Sequence, residues 1–176
     1  MACEGFQRLI KGLVLSGLRI TESWHLHWTD EKKIRVDFSG EFPMLHFPPR
    51  YQKNKKQQTV PITPAFAAFL QETPEDERDW YVFNIQLPNG HRASERYVPK
   101  AICKIGRATG IETGEGSHPT SHDFRRTFAT NWCVKVPPAT LMTLCRHASI
   151  QTTLNFYATD LANIIAKQLW GDEKTG

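Results

Sequence analysis

The stretch Ser121-His122-Asp123-Phe124-Arg125-Arg126-Thr127 decides how the rest of the chain is read. His122 and Arg125 stand three positions apart, so on a helix they share one face. Ser121 is a suitable cap for that helix, and Pro119 just upstream favours a bend. A helix start offers free backbone N–H groups and partial positive charge. An imidazole and a guanidinium added there make a site suited to a phosphate. The competing reading is a basic helix face in solvent, and this segment alone does not choose between them.

The chain has 176 residues, enough for one domain with a real core. A hydrophobic content of 40% with five tryptophans fits a globular protein and excludes a disordered one. The net charge of +4 permits an anionic partner without demanding it. Four scattered cysteines with no CxxC pair argue against a zinc ribbon and against a disulfide framework. Free thiols in a reducing cytoplasm are the simplest account. No stretch is long and apolar enough to span a bilayer, and no signal-peptide pattern precedes the first element. The apolar helical pattern begins almost at once, as in a fragment of something longer.

Outward from the opening stretch, Phe6, Leu9, Ile10, Leu13 and Val14 recur at helical spacing, which predicts an amphipathic helix over residues 4–16. Ser16-Gly17 reads as a break, and Thr21 as the cap of a short helix carrying Glu22. Arg19 and Glu22 are spaced to pair across one turn. Residues 33–38, 44–47 and 59–62 read as strands of a small antiparallel sheet with a basic hairpin at its tip. Lys53, Lys55 and Lys56 on that hairpin are either a solvated charge run or the source of one lysine pushed into a groove. Thr63-Pro64 is a helix start. Trp80-Tyr-Val-Phe reads as buried, residues 94–109 as a helix stopped by Gly110, and Pro137-Pro138 as a break. His147 falls just past the next helix, 151–157 gives one or two further turns, and 162–170 reads as a terminal helix. His25, His27 and His46 lie on different local elements and make no convincing metal ligand set.

Five segments, in order, resemble the boxes of the tyrosine recombinases, the phage integrase family. Ser16-Gly-Leu-Arg19-Ile-Thr-Glu22 is similar to the first-arginine box, and Lys53-Asn-Lys-Lys-Gln-Gln-Thr-Val-Pro61 to the lysine hairpin. His122-Asp-Phe-Arg125 resembles the His-x-x-Arg box, and Leu144-Cys-Arg-His147 the box that normally reads Leu-Gly-His. Thr152-Thr-Leu-Asn-Phe156-Tyr157 resembles the tyrosine box. The resemblance covers nearly the whole chain. It implies an α+β fold, mainly helical with a small antiparallel sheet, with residues 1–176 forming a single catalytic domain. The family's N-terminal core-binding domain is expected outside this chain.

The resemblance also implies the chemistry. Arg19 and Arg125 would grip the non-bridging oxygens of one scissile phosphodiester, with Glu22 orienting the first of them. His122 and His147 would add hydrogen bonds and handle protons. Lys53, with Lys55 or Lys56 as rivals, would protonate the leaving 5′-oxygen. A tyrosine would attack phosphorus to leave a 3′-phosphotyrosyl link. No metal or other cofactor is required. Lys55, Lys56, Arg126 and Arg146 are the expected contacts to double-stranded DNA, on which a homotetramer would assemble, in the cytoplasm, on the nucleoid, as a bacterial or phage-derived protein, and away from any membrane. A type IB topoisomerase-like enzyme is the related alternative.

The nucleophile departs from the pattern. The family tyrosine usually follows the second histidine by nine positions, which here is Phe156; Tyr157 is one further on. A helix turns about 100° per residue, so adjacent side chains point well apart. Either Phe156 replaces the nucleophile, naturally or by deliberate change, or Tyr157 reaches the phosphate through a local shift, or the spacing is loose. The first reading makes the chain a DNA-binding protein that cannot form the covalent bond. Arg146, where the family usually has glycine, is either a further phosphate contact or the sign of a different turn.

Overall fold

A computed structural model of the chain describes residues 4–52, 55–113, 117–158 and 165. It divides into two compact units, Met1–Arg125 and Arg126–Gly176. No helix among the described residues is long and apolar enough to cross a membrane.

The first unit opens with helix α1, Glu4–Ser16, whose buried face carries Phe6, Leu9 and Leu13. Gly12, a weak residue for a helix, is required by packing: a Cβ there would lie 2.3 Å from the ring of Phe83. Gly17 adopts a left-handed φ of 61° and its N–H bonds Leu13 O at 3.1 Å, which ends α1. Helix α2, Ile20–Trp24, follows directly. Its N-cap is Arg19 and not Thr21 as the sequence suggested, because Glu22 reaches back to the Arg19 N–H.

Four strands follow: β1, Leu26–His27; β2, Ile34–Asp37; β3, Met44–Phe47; and β4, Gln58–Pro61. Their spatial order is their chain order. β2–β3 and β3–β4 are antiparallel, as expected, but β1 runs parallel to β2, so the sheet is mixed. Ile34, Val36, Leu45, Phe47 and Val60 bury one face, while Arg35, Asp37, His46 and Thr59 stand on the other. Helix α3, Pro64–Gln71, is capped by the Thr63 hydroxyl and packs against α1. Phe66, Phe69 and Phe83 stack in sequence, with centroids 5.9 and 6.3 Å apart. Burying each such ring contributes about 1.5–3 kcal/mol. Val82 and Phe83 are buried as expected, but Trp80 is 55% exposed.

Helix α4, Tyr97–Ala108, starts three residues later than its sequence pattern because the Ser94 carbonyl and hydroxyl both accept from the Tyr97 N–H. A Cβ on Gly106 would lie 2.3 Å from Pro119 O, so glycine lets α4 pack on the segment that leads into helix α5, Ser121–Cys133. The second unit contains the end of α5, helix α6, Pro138–Cys145, and helical residues 150–158, here α7. Phe128, Ala129, Cys133, Leu141 and Cys145 form its buried positions. The expected terminal helix over 162–170 lies, save residue 165, outside the described residues.

Candidate active site

Each unit carries its own group of candidate side chains. In the first, the left-handed Gly17 turns the chain, and Arg125 Nη1 donates to the Gly17 carbonyl at 2.6 Å. Arg125 is only 4% exposed. The sequence separates these residues by more than a hundred positions, yet the bond seats the α5 guanidinium on the turn that ends at Arg19. Arg19 Nη1 donates to Glu22 Oε1 at 2.8 Å, and the Arg19 N–H donates to Glu22 Oε2 at 2.7 Å. Glu22 is buried and the Arg19 side chain is 47% exposed, so the carboxylate is the fixed partner and the guanidinium the accessible one. The expected pairing across the turn is therefore present.

The far end of α2 is held as firmly. Arg92 Nη2 donates to Trp24 O at 2.6 Å and to Phe83 O at 3.1 Å. Its guanidinium lies 3.6 Å from the ring centroids of both Trp24 and Tyr81. Burial holds its pKa down to about 10, against the opposing influence of Tyr81. A cation at a helix C-terminus also complements the helix dipole. Lys33 donates in turn to the Tyr81 hydroxyl. His25, at the end of α2, pairs with Glu95 at 3.2 Å and packs its ring 5.4 Å from that of Tyr51, at the root of the basic hairpin. Sequence reasoning missed Arg92 because its partners come together only in the tertiary fold.

His122 is exposed on the first turn of α5. The cap of that helix is Thr120, one residue earlier than Ser121: its hydroxyl accepts from the His122 N–H at 3.3 Å. Asp123 Oδ2 reaches back to the Thr120 N–H at 2.8 Å and to its hydroxyl at 2.7 Å. Lys53 lies outside the described residues; Lys55 and Lys56 are exposed, and Lys55 has a left-handed φ of 52°.

In the second unit, the imidazole of His147 stacks on the ring of Phe156, with centroids 6.0 Å apart and planes 10° from parallel. His147 Nδ1 lies 2.8 Å from the hydroxyl of Thr153, which is fully buried. Thr153 was not among the residues singled out from sequence; its position one turn before the tyrosine box closes was the available signal. Tyr157 turns elsewhere: its hydroxyl donates to Val136 O. Burial, reinforced by Cys133 and Cys145, raises the Tyr157 pKa above the usual phenol value.

Arg146 ends α6 with a left-handed φ of 49°. That conformation favours glycine, which accounts for the glycine the family prefers there. Arg146 is 8% exposed, and its Nη1 donates to Leu144 O at 3.1 Å within the turn that ends α6. Arg126, by comparison, is exposed on α5. Among the three histidines set aside as metal ligands, His27 Nδ1 accepts from the Thr29 and Asp30 N–H groups at 3.2 and 3.0 Å.

The fold is that of the catalytic domains of DNA recombinases. The λ integrase dimer bound to a COC′ core site matches with a TM-score of 0.62 and 16% identity, covering 86% of this chain and 51% of that one. XerH bound to a palindromic difH substrate, in its post-cleavage complex, matches with a TM-score of 0.60 and 18% identity over 94% of this chain and 46% of that one. The Tn1549 transposon integrase, in a tyrosine-to-phenylalanine form complexed with transposon right-end DNA, gives 0.60 and 20% over 96% and 60%. The sequence model of the phage integrase family matches residues 6–163, and the chain belongs to that family. The tyrosine recombinase XerC of Chlamydia caviae is 31% identical over 146 residues, which is 78% of this chain and 42% of that protein. The chain thus spans less than half the length of the curated relatives it matches.

Proposed function

We propose that this chain is the catalytic part of a site-specific DNA recombinase, acting in integration, excision or transposition on double-stranded DNA. The observation that carries the reading is the Arg125–Gly17 bond, which seats one guanidinium of α5 on the turn that ends at the exposed Arg19. Both guanidinium groups bind non-bridging phosphate oxygens, where planar, permanently charged forks suit the geometry. Negative charge grows on those oxygens in the transition state, so the contacts stabilise it more than the ground state. Glu22 positions Arg19. His122 and His147 donate hydrogen bonds, and one of the two accepts the single phenolic proton. The P–O5′ bond breaks as the tyrosyl O–P bond forms, and Lys53 supplies the proton to the leaving oxygen. Lys55, Lys56 and Arg126 contact backbone phosphates, and the active assembly on DNA is a homotetramer, in a bacterial cytoplasm on the nucleoid.

Position 156 is the nucleophile's place, and phenylalanine there leaves this chain a DNA-binding form that stops before the covalent step. The stack of Phe156 on His147 favours that reading, as does the engagement of the Tyr157 hydroxyl with Val136. A regulator that binds a site without cutting it is the second reading, and the same stack favours it. A nicked suicide substrate tests both. Phe156→Tyr is expected to give a covalent protein–DNA adduct absent from the parent chain. An adduct in the parent chain, lost in Tyr157→Phe, would overturn the assignment.

A further inference from the structure

The solvent face of the sheet carries a polar cluster that the recombination chemistry leaves unused. In register, His46 of β3 stands opposite Arg35 of β2 and Thr59 of β4, with Asp37 one diagonal step away, opposite Met44. His46 Nε2 lies 2.9 Å from Asp37 Oδ2, and His46 Nδ1 lies 3.0 Å from Thr59 Oγ1. Asp37 is itself fixed: Oδ1 accepts from the Ser39 N–H at 2.9 Å and the Ser39 hydroxyl at 2.6 Å, and Arg35 Nη2 lies 3.5 Å from Oδ2. One imidazole therefore bridges three strands. An ionised carboxylate only accepts, so Nε2 carries a proton and donates to Asp37. A threonine hydroxyl donates to a neutral Nδ1 or accepts from a protonated one, so the bridge survives either charge state of the ring.

The bridge reaches the edge of the sheet. Among the described residues β4 is an edge strand paired with β3, and its last residue, Pro61, has no N–H to give. Ten residues separate Phe47 from Gln58, and closing that loop costs entropy. Thr59 is the second residue of β4, at the mouth of the basic turn.

We propose that His46 is a positioning residue: with Asp37 and Thr59 it straps β2, β3 and β4 together on the solvent face and so fixes the strand that follows the exposed Lys55 and Lys56. The catalytic part of this proposal rests on the recombinase reading above. β4 follows the proposed leaving-group acid in the chain, and proton transfer tolerates little displacement.

The first test needs no activity. Backbone amide exchange in the chain as it stands is expected to speed up about three- to tenfold at residues 58–60 in His46→Ala and in Thr59→Val. Exchange in α3 should not change. His46→Gln, whose amide donates and accepts at once, should restore the protection. Unchanged exchange at 58–60 overturns the strap. The second test uses the Phe156→Tyr form on suicide DNA carrying either oxygen or sulfur at the 5′-bridging position of the scissile phosphate. A thiolate leaves without a proton, so His46→Ala should slow cleavage of the oxygen substrate about tenfold and spare the sulfur one. Equal slowing on both substrates marks a general structural defect and overturns the positioning role. If the Phe156→Tyr form cleaves neither substrate, the reading of the reaction fails, and amide exchange alone then decides the strap.

Discussion

His147 lies flat against Phe156, while the very next side chain, Tyr157, gives its hydroxyl to the carbonyl of Val136. Two adjacent aromatic rings thus have separate occupations, one beside a candidate phosphate-binding imidazole and one within the packing of the second unit. Tyr157→Phe is expected to cost about 0.5–1.5 kcal/mol in denaturant unfolding, because the part-buried Val136 O loses its hydroxyl donor. It should leave the adduct yield of a Phe156→Tyr form unchanged. A loss of adduct with no loss of stability would contradict this division.

Thr153 fixes the ring of His147 through Nδ1. Thr153→Val keeps the shape and removes the hydroxyl. The expected outcome is a changed His147 tautomer ratio in nitrogen NMR and weaker binding of a DNA site, both recovered in Thr153→Ser. Recovery matters, because a packing defect alone would not be corrected by restoring one hydroxyl.

Arg19 is the accessible guanidinium of the first unit and Arg125 the buried one. Arg19→Ala should weaken DNA binding and reduce the slope of log affinity against log salt by about 1, as one phosphate contact is lost. Arg125→Ala should in addition lower the thermal midpoint, since it abandons the Gly17 carbonyl in a buried place. Equal salt slopes in Arg19→Ala and the parent would remove Arg19 from the phosphate.

His27 must stay neutral for Nδ1 to accept from two backbone N–H groups. Burial is the largest cause lowering its pKa from 6.5, aided by Lys33 and Arg92 and opposed by Asp30 and Asp79. The folded pKa is depressed, so the unfolded chain binds the proton more readily. The contribution of His27 to stability is therefore full above pH 6.5 and falls as pH drops below it, toward the lower folded value. Unfolding measured between pH 7.5 and about pH 5 should show this loss, and His27→Asn, which accepts without titrating, should flatten it.

Local signals made much of the architecture legible. Residues 4–16 carried an apolar stripe at helical spacing, Thr63-Pro64 announced α3, and residues 33–38 showed period-two alternation. Arg19 with Glu22 was legible because its partner lies one turn away. What escaped reading depended on distant chain. β1 has two residues, too few for any periodicity, and its parallel pairing with β2 is a tertiary fact. Arg92 reads as a surface charge until Trp24 and Tyr81 close around it. Thr120 and Ser121 are equally good caps by residue type, and Asp123 settles the choice by bonding back to Thr120. Sequence does not display the left-handed φ of Arg146, so the phosphate-contact and turn readings stayed equal there.

The two-residue strand β1 joins remote parts of the first unit. Besides its parallel pairing with β2, its neighbour Trp28 donates to Trp80 O at 3.0 Å, and Val82 donates to Leu26 O at 3.0 Å. The exposed acidic segment Glu75–Glu77 lies between these partners in the chain. A protease nick there would sever the polypeptide without parting it: the downstream fragment would remain zippered to the upstream one, and the two pieces should co-migrate through gel filtration until denaturant separates them.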